Sequence, residues 1–280
     1  MAAMIAALCD MLVQFDRESK ASNIEIAIAG YKMILNIFDR KSFSKEWAMT
    51  QISLGATYRN RIQGDQAENL ELSLECYRNA LEVYTLDTSP IQWADIQNNL
   101  ANTYRDLANI YRDHIQKNPA VNLERAIACC CNALTVYFRF SRWEAWADTQ
   151  NNLGLIYQDL GQINEAISCF QLALEIFKPN IFPLKCKMSG VNLGNTAFAD
   201  RRWAKAIEGY DVAIKAVEQS RTWSSNDSRR REITSEAMEV YVKAVQACIN
   251  KCRDRFWIIS QLLAKLLNLF LCNCSHVVFP

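Results

Sequence analysis

The sequence predicts an all-α fold, helix-turn-helix units stacked into a right-handed superhelical solenoid. Three observations predict it. One opening recurs as Trp47-Ala48-Met49-Thr50-Gln51, Trp93-Ala94-Asp95-Ile96-Gln97 and Trp146-Ala147-Asp148-Thr149-Gln150. Each opening leads into a Leu-Gly or Leu-Ala pair and then an aromatic residue: Leu54-Gly55 with Tyr58, Leu100-Ala101 with Tyr104, Leu153-Gly154 with Tyr157. Leu193-Gly194 starts a fourth copy, with Ala197 in the aromatic's place. Finally, half of the 280 residues are apolar while only eight are Gly and five Pro, which favours long helices over sheet and turn. A unit that cannot bury its apolar face alone has to stack on its neighbours.

The elements follow in chain order. Ala27, Tyr31, Ile34 and Phe38 carry the spacing of a second helix, and residues 4–15 supply a degenerate first helix before it. In the first full copy the stretch Arg59-Asn60-Arg61-Ile62-Gln63-Gly64-Asp65 is polar and predicts a lengthened loop before Ser73. In the second copy Leu107, Ile110 and Tyr111 prolong the apolar stripe, so its first helix runs about two turns further and ends by Asn118-Pro119. The third copy sets Ala166, Phe170 and Ala173 on its second helix, and the fourth repeats them as Ala206, Tyr210 and Ala213. Pro90, Pro179 and Pro183 fall between copies, where a helix has to stop. Asp227 or Ser228 is placed to cap one more helix, which carries Ile233, Ala237, Val240, Tyr241, Ala244 and Val245. The expected organisation is a helix pair over 1–43, four repeats over 44–220, an additional helix over 221–250, and a divergent apolar tail over 251–280.

Small and large residues alternate where two helices must cross closely. Gly55, Ala101, Gly154 and Gly194 leave room on the first helices, and Ser73, Ala126, Ala166 and Ala206 on the second. This wording resembles the tetratricopeptide repeat, whose period is about 34 residues. Longer strings narrow the likeness: Glu68-Asn69-Leu70-Glu71, Gln97-Asn98-Asn99-Leu100, Gln150-Asn151-Asn152-Leu153-Gly154 and Val217-Glu218-Gln219-Ser220-Arg221-Thr222-Trp223. Over roughly residues 44–250 they resemble the repeat region that precedes a CHAT domain, a caspase-like cysteine protease module, in large bacterial proteins. The family pattern breaks at Lys251, and the remaining thirty residues are too few for a protease. The expectation is therefore a repeat region without its CHAT domain, the tail arising by frameshift or truncation, and no catalytic residue is carried over.

Composition and motifs exclude several classes. A formal charge of +1 offers no concentrated basic surface for nucleic acid, and Arg229-Arg230-Arg231 reads as a solvated helix start. A Cys-His dyad has only His114 and His276 to draw on, neither beside a Gly-containing motif that would build an oxyanion hole. Cys248 with Cys252, and Cys272 with Cys274, lack the paired Cys-x-x-Cys units of structural zinc sites. No metal, no cofactor and no enzymatic activity are expected. Residues 1–15 lack a basic start and contain Asp10, so no secretory leader is expected. Cys76, Cys129, Cys130, Cys131, Cys169 and Cys248 sit within helical patterns as small apolar fillers, in keeping with reduced thiols and a cytoplasmic location. Residues 256–274 approach spanning length, but Lys265 sits mid-segment, so packing of Trp257, Leu262, Leu266 and Phe270 onto the last repeat is expected instead of membrane contact.

What remains is a non-catalytic scaffold that binds a protein or peptide in a concave groove lined by first helices. By register the groove carries Asp95, Asn98, Asn102 and Arg105 from one repeat, Asp148, Asn151 and Gln158 from the next, and Arg59 and Asn195 on the flanks. An Asn amide offers both donor and acceptor to a peptide backbone, and it can equally tie adjacent helices together. The alternative is the sensor or regulatory segment of a CHAT-type protease system, acting on a separately encoded protease.

Overall fold

The computed structural model describes residues 2–14, 20–112, 118–251 and 263–265. Its helices are α1 (Ala2–Gln14), α2 (Lys20–Ile37), α3 (Ser44–Arg59), α4 (Gln66–Leu81), α5 (Pro90–Tyr111), α6 (Pro119–Arg139), α7 (Trp143–Asp159), α8 (Ile163–Ile176), α9 (Pro183–Ala199), α10 (Trp203–Trp223) and α11 (Asp227–Lys251). No strand occurs among the described residues. The chain divides after Arg142 into two compact units. Most of the apolar tail, with His276, Cys252, Cys272 and Cys274, lies outside the described residues, as does His114.

The first unit holds three antiparallel helix pairs, α1/α2, α3/α4 and α5/α6, joined by packing of α2 on α3 and α4 on α5. Its core collects Ile24, Ala27, Ile28, Tyr31 and Ile34 of α2 with Leu54 and Tyr58 of α3 and Cys76 of α4. The lengthened turn after α3 has an internal scaffold. Asp65 caps α4 by accepting from the Glu68 amide, and Gly64 takes φ 81°. Arg61 reaches back to α2 as a two-pronged fork, Nε to Glu25 Oε1 at 2.7 Å and Nη2 to Oε2 at 2.8 Å. The long α5 ends at Tyr111, and Pro119 opens α6 with Asn118 as its N-cap, accepting from the Ala120 amide at 3.0 Å. Pro119 thus starts a helix, whereas the sequence pattern alone suggests that it ends one. Pro90 and Pro183 likewise stand at the first turns of α5 and α9, where a missing N–H costs nothing.

The second unit holds the pairs α7/α8 and α9/α10, with α11 packed on α10. One core runs through Phe170, Leu193, Tyr210, Ile214, Val217 and Tyr241, and a satellite gathers Ala147, Ala173, Phe177, Cys186 and Ala216. The small residues work as expected. An added methyl at Gly154 would meet the Phe170 ring at 2.6 Å, and one at Gly194 the Tyr210 ring at 2.5 Å. The ring that fills each gap comes from the second helix, four residues after its own small residue. In the first unit Gly55 and Tyr77 repeat this pairing. At the equivalent positions of α5 and α6 stand Ala101 and Cys130, both fully buried: the larger residue on one helix accompanies a smaller one on the other. Asn226, one residue before the expected cap, accepts from the Ser228 amide at 2.8 Å at the start of α11.

Helices α6, α7 and α9 end alike. Arg142, Gln162 and Arg202 each donate an amide to the carbonyl five residues back, at 2.8 Å, and the residue before each is left-handed: Ser141 at φ 53°, Gly161 at 74°, Arg201 at 58°. A non-glycine residue there costs about 1–2 kcal/mol, while glycine costs up to about 1 kcal/mol in unfolded-chain entropy. Arg201→Gly should therefore stabilise the chain by roughly 0.5–1 kcal/mol, seen as a rise in thermal midpoint by calorimetry. An unchanged or lower midpoint would refute it.

Among the described residues eight cysteines form no disulfide. Burial pushes the Cys76 thiol up to about 12, and those of Cys129 and Cys186 up to about 11, as suits apolar fillers. Cys131 departs from that role and is exposed.

Candidate protein-interaction face

The nine residues picked out by register all lie on first helices, and most of them bond to a neighbouring element. In the first unit Arg59 of α3 donates from Nε to Asp106 Oδ2 of α5 at 2.6 Å. Asp95 of α5 accepts from the Tyr137 hydroxyl of α6 at 2.6 Å. Asn98, Asn102 and Arg105 are half-buried along α5, and Asn98 and Arg105 are also engaged with other groups.

In the second unit α7 and α9 are joined by three polar rungs. Lys185 Nζ bridges Asp148 at 2.5 Å and Glu144 at 2.8 Å. Asn192 donates from Nδ2 to Asn151 Oδ1 at 3.1 Å, and Thr196 donates to Gln158 Oε1 at 2.8 Å. A fourth tie runs through Asn195, whose Oδ1 accepts from the Tyr210 hydroxyl of α10 at 2.9 Å and from Lys243 Nζ of α11 at 3.2 Å. These bonds fix which atoms remain for a ligand. Among the described residues Asn195 has spent its oxygen and keeps its two amide hydrogens, whereas Asn192 has spent a donor and keeps its oxygen. Three residues apart on one helix face, the two present a donor and an acceptor.

Charge follows the same rungs. Burial pushes the Asp148 carboxyl up against the pull of Lys185, while burial draws the Lys185 ammonium down and its two carboxylates outweigh that and raise it. Asn192 and Asn195 help line a cavity of about 270 Å³ formed by α9, α10 and α11, whose apolar lining includes Met188, Val191 and Val240 and whose charged lining is Lys187, Lys243, Glu236 and Glu239. Leu184 and Met188 continue its apolar side along α9, 66% and 57% exposed. A second cavity, of about 480 Å³, lies in the first unit between Trp93 and Phe140, and none of the nine residues lines it.

Sequence reasoning missed Asn192, Lys185 and Lys243. Asn192 was legible in principle, since it precedes Leu193 as Asn152 precedes Leu153 and Asn99 precedes Leu100. Lys243 had no repeat opening to mark it. The Arg61–Glu25 fork was missed as well, and it carries a pH signature. Arg61 holds the Glu25 carboxyl below its ordinary value, against the opposing effect of burial. A carboxyl lowered in the folded state gives stability that is complete above its unfolded value and lost as pH falls through the lowered one. Arg61→Ala should thus cost up to about 1 kcal/mol near neutrality, with the difference shrinking as pH drops below 4.5. Urea melts of both forms across that range check it, and a pH-independent difference would be contrary to it.

The family model of soluble NSF attachment protein, SNAP, matches residues 90–228, just under half of the chain. No protein of curated function matches the sequence. Among solved structures, the chain is similar to a thermophilic TPR protein of Thermus thermophilus at 16% identity and TM-score 0.55, covering 89% of this chain and 100% of that one. A signal transduction ATPase with a tetratricopeptide repeat sensor, from Pyrococcus horikoshii, aligns at 15% identity and TM-score 0.60 over 96% of this chain and 42% of that one. Nearly identical TPR-like repeats from Podosopora anserina align at 13% identity and TM-score 0.53, over 79% and 98%. At such identities the likeness establishes the fold, all-α tetratricopeptide-like repeats. No described helix is long and apolar enough to cross a membrane.

Proposed function

We propose that this chain is a non-catalytic, cytoplasmic scaffold that holds a protein or peptide segment along its first-helix faces. One observation carries the reading: the leftover donor of Asn195 and acceptor of Asn192 stand at a cavity partly lined by Met188, Val191 and Val240, a pairing that suits the backbone of an extended chain whose side chain enters the cavity. Asp148, Asn151 and Gln158 support that face from α7. Arg59, Asp95, Asn98, Asn102 and Arg105 form the corresponding face of the first unit. In this reading residues 44–220 are the four-repeat body, flanked by the pair over 1–43 and the helix over 221–250. Affinity comes from many modest contacts on a preformed surface.

Asn195→Asp is the clean test, because it removes the leftover donors and keeps the oxygen that Tyr210 and Lys243 use. Proteins that co-purify with the wild-type chain should be depleted at least about tenfold with the variant, a loss of roughly 1.4 kcal/mol, while thermal stability holds. Unchanged co-purification would sink the assignment.

The likeness of residues 90–228 to the SNAP model is consistent with an adaptor that attaches one protein to another. A regulatory or sensor role toward a CHAT-type protease in trans rests on the strings shared with that repeat region. Cleavage of a co-purifying protease's substrate that depends on this chain would favour it.

A further inference from the structure

The N-terminal end of the first unit contains an apolar cavity of about 330 Å³ bounded by α1, α2 and α3. Ala6, Ala7, Ile34, Phe38 and Met49 supply its hydrocarbon walls, and among the described residues that line it the two charged ones are both acidic, Asp10 and Glu46. None of those described residues is a lysine, arginine or histidine. The Asp10 carboxylate is held by a built support. The buried Tyr31 hydroxyl donates to Asp10 Oδ1 at 2.5 Å, and Ser53 of α3 lines the same cavity. Tyr31 is 2% exposed, and burial followed by the Asp10 bond raises its phenol far above the ordinary value, so it stays a donor. Among the described residues no hydrogen bond engages the second oxygen of Asp10.

We propose that this cavity receives a basic side chain of a bound peptide, its aliphatic stem against Ile34, Phe38 and Met49 and its cationic head at Asp10 and Glu46. Long basic side chains combine these two requirements, an apolar stem and a charged tip. An acidic or purely apolar side chain meets at most one of them, since the carboxylates repel the former and gain nothing from the latter. The second unit's cavity differs, because Lys187 and Lys243 oppose Glu236 and Glu239 there. The inference rests on the reading of the chain as a peptide-binding scaffold, and it gives that scaffold a charge-reading end.

The experiment uses the full chain with ¹³C-methyl methionine, where Met49 reports on this cavity and Met188 on the other. The probes are acetylated and amidated pentapeptides of alanine with a central lysine, norleucine or glutamate. The lysine peptide should shift Met49 saturably, at least about tenfold more tightly than norleucine, and weaken with added salt. Asp10→Asn and Glu46→Gln should each reduce that preference; Glu46 is exposed, so its variant keeps the fold even if the Asp10 variant does not. Equal binding of lysine and norleucine, or a stronger response to glutamate, overturns the proposal. Shifts at Met188 without shifts at Met49 overturn it while leaving the scaffold reading standing, and shifts at neither count against both.

Discussion

Gly209→Ala should unfold the second unit more readily by about 2 kcal/mol, although alanine is the better helix former. The added methyl would stand 2.5 Å from the Gly194 nitrogen, 2.7 Å from the Gly190 oxygen and 2.9 Å from the Gly194 α-carbon. All three are backbone atoms of α9, so no side chain can swing away and the whole helix has to retreat. The gain in helix propensity is about 1 kcal/mol, while overpacking in a tight core costs about 1–3 kcal/mol and more where backbone must move. Retreat of α9 would also loosen the Gly194–Tyr210 contact and the rungs on its other face. Chemical denaturation followed by circular dichroism decides the point. A variant as stable as the parent would show that α9 and α10 are not held at this distance in solution.

Exchanging the Gly154/Phe170 pair for Ala/Cys should be far less costly than its two halves suggest. Gly154→Ala alone drives a methyl to 2.6–2.9 Å from three atoms of a ring that is fully buried, for a net loss of about 1–2 kcal/mol. Phe170→Cys alone leaves a cavity and should lose about 3 kcal/mol. Together the small ring substitute makes room for the methyl, and the methyl fills part of the cavity, as Ala101 and Cys130 are paired in the first unit. The double variant should therefore lose about 3 kcal/mol or less, a coupling of at least about 1 kcal/mol. Denaturant melts of the four proteins close the cycle, and simple additivity would refute the compensation.

The helix pairs were legible because their signal is local and repeated. Leu-Gly before an aromatic, and Ala four residues before Phe or Tyr, each state a steric requirement that neighbouring copies restate. The prolonged α5 was legible from Leu107, Ile110 and Tyr111 for the same reason. Boundaries were less so: Pro119 and Pro183 mark breaks, but only capping geometry says that each begins the helix after it. Asn226 was passed over for Asp227 because any of several polar residues in that run can cap. At the candidate site, register gives the helix on which each residue lies, but not the atoms it spends. That Asn195 uses its oxygen and Asn192 its nitrogen depends on Tyr210, Lys243 and Asn151, which lie 15, 48 and 41 residues away. The Tyr31–Asp10 bond is of the same kind, joining residues of two helices with no shared motif.

The polar rungs between α7 and α9 have a consequence for how such a protein can change. Apolar helix faces tolerate sliding, since a displacement of one turn, about 5.4 Å, replaces one set of methyl contacts by another. Lys185 with Asp148, Asn192 with Asn151 and Thr196 with Gln158 would all be broken by that single step. They act as a gauge that fixes one alignment of the two helices. Amino acids that hold the alignment are poor places to vary what is bound, because a new preference there also moves the frame. The exposed Leu184 and Met188 carry no such duty, so those two positions can vary while α7 and α9 keep their alignment.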